Sequence, residues 1–514
     1  MSGSRGTVSR AIVWSGGGAV ALRAGQFGIG IVIARIMSPY DFGVFAVVLV
    51  VYSLIVNVSE IGIGSALIRV RGSVDRLAPT AVTLSAASSI VLGTGMWFAA
   101  PLVASLMRAP GAGEAIQVMS LVVVLAGFSS VPLALITRNF RQDRKFIADM
   151  ANFVVSNILL IILALAGLGV MALAWSRVAG QLVSVITLVV LAPRRYRPGF
   201  NRGAAKTLIR FGAPFVGANL VGYGVGNVDA IVVGRILGPV QLGTYALANN
   251  VAGWPLSLFT SVLNSVGLPV LSKIAHSAHA LRDYLANATF LLTGVFFYVS
   301  AMCAGLAQPL VDAVYGPKWS AAGPVLAILA VYGSVRVLLA LLFDALIACN
   351  SPRSLLLVQG IWLVALVPGM LGGAMLGGLV GAAASQVLIA LLVSLPASFL
   401  FLRHASGVKV LPIVFRTVLP LTAAVSSAVI AHVVAGFVDN AWLALLLGGC
   451  AGTAVYAAVM FRSIVRTRDE VRRLYGSDVT HFSPHDDSVS EAAAPLPPIS
   501  SFALPLRGTE NRDD

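Results

Sequence analysis

Charge is what this chain is short of. Only 11% of its residues are Asp, Glu, Lys or Arg, 58% are hydrophobic and the mean hydropathy is +0.91. That balance excludes a soluble globular protein, in which about a quarter of the residues carry charge. Cysteine is nearly absent. Cys303, Cys349 and Cys450 have neither metal-ligand spacing nor an obvious pairing outside the membrane, which excludes a zinc site and a disulfide scaffold. The apolar runs do not alternate with polar residues over about ten positions, so a membrane β-barrel is excluded too. A glycine-rich phosphate loop, a paired-carboxylate motif and a long outer loop are all missing. A membrane glycosyltransferase or polymerase needs such a loop to hold its acid and base. The chain therefore reads as no enzyme, and as needing no cofactor.

Hydrophobic length is what the chain has instead. A helix needs about 20 apolar residues to cross about 30 Å of hydrocarbon, and fourteen such runs follow one another from residues 11–33 to 441–461. The expected fold is all-α and polytopic, with 14 transmembrane helices. Basic residues test the count, because loops on the cytoplasmic side carry the Lys and Arg. With the N-terminus inside, 26 of them fall on the inner side and only Arg35, Arg108, Arg235 and Lys318 on the outer. Both termini are thus expected in the cytoplasm. The formal charge of +15 is accounted for by topology and by attraction to anionic membrane lipid, with no nucleic-acid partner required. Arg outnumbers Lys 30 to 5 and Ala and Gly abound, a bias expected of a high-GC bacterium, so the expected location is a bacterial cytoplasmic membrane. The first run leads straight into others without a convincing cleavage site, and no removed leader is expected.

The sequence also repeats itself. ARIMSPYDFGVFA from Ala34 and GRILGPVQLGTYA from Gly234 share Arg35/Arg235, Pro39/Pro239 and Gly43/Gly243 at an offset of 200 residues. GVMALAWSRV from Gly169 and GLVGAAASQV from Gly378 give a weaker echo. Six runs per copy is an even number, so both copies enter from the same side. This predicts parallel repeats with a cavity between them. The organisation expected is a six-helix N-terminal lobe at 1–192, a basic cytoplasmic linker at 193–207, a second six-helix lobe at 208–402 and two additional helices within 403–462. A basic helix and a disordered Ser-, Pro- and acid-rich tail follow at 463–514.

The ARIMSPYDFG corner, VSEIGIGSALIR at the end of the second run and NVDAIVVGRILGPVQLGTYALANN between the seventh and eighth resemble the multidrug/oligosaccharidyl-lipid/polysaccharide exporter superfamily. They are most similar to its polysaccharide transporter, or Wzx-type oligosaccharide flippase, branch. The resemblance covers residues 10–460 and implies V-shaped lobes and alternating access. It further implies translocation of a polyprenyl-diphosphate-linked oligosaccharide for cell-surface polysaccharide biosynthesis, with lipid-linked oligosaccharide, membrane lipid and polysaccharide-assembly proteins as partners and a monomer as the working unit. A peptidoglycan-precursor flippase is the alternative, with a drug/cation antiporter of the same superfamily behind it.

Ions at the bilayer centre cost roughly 2.5–3.5 kcal/mol on insertion scales, so each embedded charge marks a candidate site. Arg23 lies mid-run on a small, polar face with Gly16, Ala19, Gln26 and Gly30, and its forked guanidinium matches a phosphate. Arg336 in the tenth run and Arg177 in the sixth are the other embedded cations. The repeat offset puts Tyr223 at the place of Arg23, flanked by Asn219 and Asn227. The substrate-binding candidates are therefore Arg23, Gln26, Arg177, Asn219, Tyr223, Asn227 and Arg336. Asn249, Asn250 and Trp254 are open to the same two readings, substrate ligand or interhelical glue. Glu60, Asp229 and Asp344 are the candidates for ion coupling. Three arginines and three acids can equally neutralise each other as structural pairs.

Overall fold

The computed structural model describes residues 25–60, 64, 67, 74–254, 271, 278–408 and 411–478. All long regular elements among them are helices: α1 (Gly25–Ile36), α2 (Pro39–Glu60), α3 (Val74–Leu106), α4 (Ala112–Arg138), α5 (Gln142–Leu165), α6 (Val170–Leu191), α7 (Arg202–Leu237) and α8 (239–254). There follow α9 (Ala278–Gly305), the short α10 (Ala307–Val314), α11 (Ala322–Ala348), α12 (352–377), α13 (379–406), α14 (Leu411–Gly436) and α15 (Ala441–Asp478). Residues 1–459 pack as one unit and 460–514 as a second.

Ten described stretches are long and apolar enough to cross a membrane, fewer than the fourteen runs read from the sequence. Two of those runs are merged in one stretch, Arg353–Ser406. The first and eighth extend beyond the described residues, and the seventh, within α7, is not among the ten. Inside the merged stretch the chain turns at Gly378, whose φ of 56° and ψ of −137° suit glycine alone. Beyond the turn the Gln386 amide reaches the Met370 thioether at 3.9 Å, so α12 and α13 run back along each other. Gly169, between α5 and α6, has nearly the same backbone, φ 52° and ψ −128°. These are the two glycines that the weaker sequence echo puts in register.

A second pair of turns also matches. The N–H groups of Asn139, Phe140 and Arg141 bond to the carbonyls of Leu135, Thr137 and Ile136, and those of Cys349, Asn350 and Ser351 to Ala345, Ile347 and Leu346. The middle residue is left-handed in both, φ 55° at Phe140 and 53° at Asn350.

The repeated corner has a local cause. Ser38 and Asp41 cap the start of α2 reciprocally, the Asp41 N–H donating to Ser38 Oγ at 3.2 Å and the Ser38 N–H to Asp41 Oδ2 at 3.3 Å. Pro39 sits at the first helical position, where a missing N–H costs nothing. In the second copy Gly238, at φ 86°, breaks the chain before Pro239. One apolar core then joins residues from both copies, including Val44, Met96, Ile116 and Met119 from the first and Leu242, Tyr245, Val325 and Leu326 from the second.

The basic linker is docked rather than loose. Gly199 N–H donates to Thr83 Oγ1 at 3.0 Å, and Asn201 N–H to Thr80 Oγ1 at 3.0 Å. Arg194 pairs with Asp75 at 3.0 Å, and the Tyr196 hydroxyl donates to the same carboxylate. Burial and that neighbouring carboxylate hold the Tyr196 phenol above its usual range. Asn201 then caps α7 by accepting from the N–H groups of Gly203 and Ala204.

Candidate functional site

Between the two copies lies a cavity of about 580 Å³. From the first copy α1 contributes Gln26, Phe27 and Gly30, and α2 contributes Phe42; from the second, α8 contributes Asn249, Asn250 and Trp254, and α11 contributes Arg336. Its described lining thus carries three amides, aromatic faces and one cation, and no carboxylate. Amides and aromatics suit a hydroxylated ring, and a guanidinium suits an oxyanion. The Arg336 guanidinium is exposed and sits 5.7 Å from the centre of the Tyr332 ring, a cation–π contact that orients it without neutralising it.

The repeated corners cross beside this cavity, next to its lining residue Phe42. A Cβ on Gly43 would overlap the Pro239 carbonyl oxygen, and one on Gly243 would overlap that of Pro39. Around this crossing the halves exchange hydrogen bonds. Arg35 donates to the carbonyls of Val314 at 2.8 Å and Ala313 at 2.5 Å. Lys318 donates to those of Arg35 at 2.8 Å and Met37 at 2.7 Å, and the Trp319 indole to that of Ala34 at 2.7 Å. Burial lowers the Lys318 pKa while the nearby Asp41 carboxylate opposes the shift, the expected result of moving an ammonium out of water.

The residues singled out from the sequence divide. Gln26 and Arg336 line the cavity. Tyr223 instead reaches the first half, its hydroxyl donating to the Val50 carbonyl at 3.2 Å, and the Asn227 amide donates within its own helix to Tyr223 O at 2.9 Å. Arg177 is exposed on α6, in electrostatic reach of Tyr52, and is not among the residues lining this cavity. Asp344 is half-buried on α11. Arg23 lies outside the described residues, as do the side chains of Asn219 and Glu60.

Asp229 is the embedded acid with a built environment. It is 8% exposed and accepts from the Tyr245 hydroxyl at 3.2 Å and the Ala230 N–H at 2.8 Å, with Gln386 and Arg336 also in reach. Among the described residues the ion pairs, such as Lys145–Asp149 and Arg194–Asp75, lie at exposed positions; none joins an embedded arginine to an embedded acid.

Sequence reading missed Phe27, Phe42, Arg35, Lys318 and Trp319. The available signal was the short set of cations left on the outer side, which includes Arg35 and Lys318.

A family model described as polysaccharide biosynthesis protein matches residues 32–324. The succinoglycan biosynthesis transport protein ExoT of Rhizobium meliloti is 26% identical over 482 residues, covering 91% of this chain and 95% of that protein. The lipopolysaccharide biosynthesis protein WzxC of Escherichia coli is 25% identical over 312 residues, covering 59% and 62%. Among solved structures, the lipid II flippase MurJ in an inward closed conformation aligns with a TM-score of 0.66 at 13% identity, covering 88% of this chain and 100% of that one. An inward-facing multidrug resistance MATE family transporter aligns at 0.59 and 16% identity, covering 75% and 96%.

Proposed function

The chain belongs to the polysaccharide biosynthesis protein family, a multi-pass membrane group within the multidrug/oligosaccharidyl-lipid/polysaccharide exporter superfamily, and from that premise we propose that it flips a polyprenyl-diphosphate-linked oligosaccharide across the cytoplasmic membrane by alternating access. The observation that carries this reading is the cavity shared by both copies, lying beside the Gly43/Gly243 crossing and lined by Arg336 among amides and aromatics. Arg336 holds the diphosphate; Gln26, Asn249, Asn250 and Trp254 meet the sugars. The matching turns at Gly169/Gly378 and Phe140/Asn350 support two lobes at 1–192 and 208–402, with both termini cytoplasmic and the closed corners facing outward. Asp229, held by Tyr245 and Gln386 beside Arg336, is the acid best placed for ion coupling.

A cation antiporter would want an acid in the cavity, and its described lining has none. Lipid II transport shares the fold and is separated by the substrate itself. The test is transfer of a fluorescent polyprenyl-diphosphate oligosaccharide between leaflets of proteoliposomes, with lipid II as the competitor. Arg336→Gln should lower the rate at least about tenfold and Arg336→Lys less, because the forked donor is lost but the charge is kept. Equal transfer by Arg336→Gln and the parent removes Arg336 from the site, and transfer of lipid II in preference to the oligosaccharide replaces the reading.

A further inference from the structure

Two of the four cations left on the outer side by the charge count have a reciprocal arrangement. Arg35, at the end of α1, reaches the last carbonyls of α10 in the other half; Lys318, just beyond α10, reaches the last carbonyls of α1. The C-terminal carbonyls of a helix lack intrahelical partners and carry the negative end of its dipole. Each cation therefore caps a helix that belongs to the opposite half. These bonds exist only while the halves meet.

Trp319 adds a third donor of the same kind. Its side chain is fully buried, with its ring 5.1 Å from that of Phe42, edge to face, and its N–H is satisfied across the boundary at Ala34. Parting the halves without admitting water would strand that donor. The Ser38–Asp41 cap, by contrast, closes within one half and leaves that corner rigid when the halves separate. Phe42 and Tyr315, which line the cavity, lie in the same corners as these bonds, so the seal and the roof of the site are one structure.

We propose that Arg35, Lys318 and Trp319 form the latch of the outer gate, holding this end shut while the cavity is open to the other side and releasing together when the substrate is exposed outward. The proposal rests on the transport reading above. Its hydrogen-bond acceptors are main-chain oxygens, so the latch depends on helix ends meeting, with the Asp41 carboxylate of the first half adding its attraction for Lys318.

The test reads gate opening without using transport. In a background with Cys303, Cys349 and Cys450 replaced by Ala, Asn250→Cys places a thiol in the cavity. Right-side-out membrane vesicles are then treated with a membrane-impermeant maleimide. Arg35→Gln and Lys318→Gln should each raise the labelling rate about tenfold or more, the scale of one lost charge-assisted hydrogen bond, and Lys318→Arg should stay near the parent. Unchanged labelling in both glutamine variants at parental membrane level overturns the latch. So does rapid labelling of the parent, since the sealed end would then not face outward. If the glutamine variants are poorly inserted, Trp319→Phe keeps an aromatic face against Phe42 while removing the indole N–H with its five-membered ring, and unchanged labelling there overturns the proposal equally. Proteoliposome transfer is measured in parallel with the protein carrying Asn250 and its native cysteines: labelling that responds while that protein moves no lipid-linked oligosaccharide removes the flippase reading, whereas transfer with unresponsive labelling removes the latch alone.

Discussion

Gly43 and Gly243, the same position in the two copies of the repeated motif, meet backbone to backbone. A Cβ on Gly43 would lie 2.9 Å from the Gly243 nitrogen, and one on Gly243 would lie 2.8 Å from the Gly43 nitrogen. The contact is thus close to symmetric, as expected where a pseudo-twofold axis passes between two related corners. It also brings the Pro39 and Pro239 carbonyls against the opposing helix, with no side chain available to yield.

Alanine at either glycine should therefore disfavour the closed arrangement. Overpacking of this kind costs typically about 1–3 kcal/mol. Gly43→Ala and Gly243→Ala should each lower the melting temperature of the purified protein, and the double variant should lose less than the sum because both changes open one crossing. Parental melting temperatures in both single variants would show that the halves do not approach this closely.

Tyr223 is expected to behave as glue. Its hydroxyl bonds to the Val50 carbonyl of the first half, so Tyr223→Phe should reduce stability by about 0.5–1.5 kcal/mol, the net worth of one such bond. The affinity for lipid-linked oligosaccharide should stay within about twofold, since that is less than half a kcal/mol. A large fall in affinity with unchanged stability would return Tyr223 to the substrate site.

These two residues show what sequence can and cannot carry. The duplication was legible because Pro39/Pro239 and Gly43/Gly243 recur at a fixed offset, and the Gly169/Gly378 echo marked two turns that only glycine makes. That the copies meet at their own glycines was not legible, because a repeat says nothing of where its axis lies. Tyr223 was assigned by its register with Arg23; register fixes a place on a helix, while its partner is a main-chain oxygen with no sequence signature. The same blindness hid Arg35 and Lys318, whose acceptors are carbonyls. Gln26 and Arg336 were visible because a polar group inside an apolar run is costly wherever it points.

Asp229 makes a separable claim about energy coupling. If it carries the ion, Asp229→Asn should keep the Tyr245 contact and membrane level while transport loses its dependence on an imposed sodium or proton gradient. Tyr245→Phe should leave that dependence in place and shift only its midpoint, because the carboxylate remains. The same gradient dependence in Asp229→Asn and the parent would rule out Asp229 as the coupling acid.

Arg23 precedes Gln26 by three residues and Gly30 by seven, spacings that share a helix face, and both of those residues line the cavity. If that face continues upstream, Arg23 and Arg336 approach the substrate from opposite halves, and a diphosphate with two charged phosphates can engage both. Arg23→Ala should then abolish transfer with the protein inserted and abundant, and Arg23→Lys should rescue only in part. A structural role gives a different pattern: removing one member of a buried pair typically destabilises by about 3–5 kcal/mol, so abundance would fall and removal of the matching acid would restore it. Measuring transfer and membrane level together for Arg23→Ala, alone and with Glu60→Gln, Asp229→Asn or Asp344→Asn, separates the two. Full transfer in any of the double variants would exclude Arg23 as an indispensable ligand and leave Arg336 as the cation that the substrate meets.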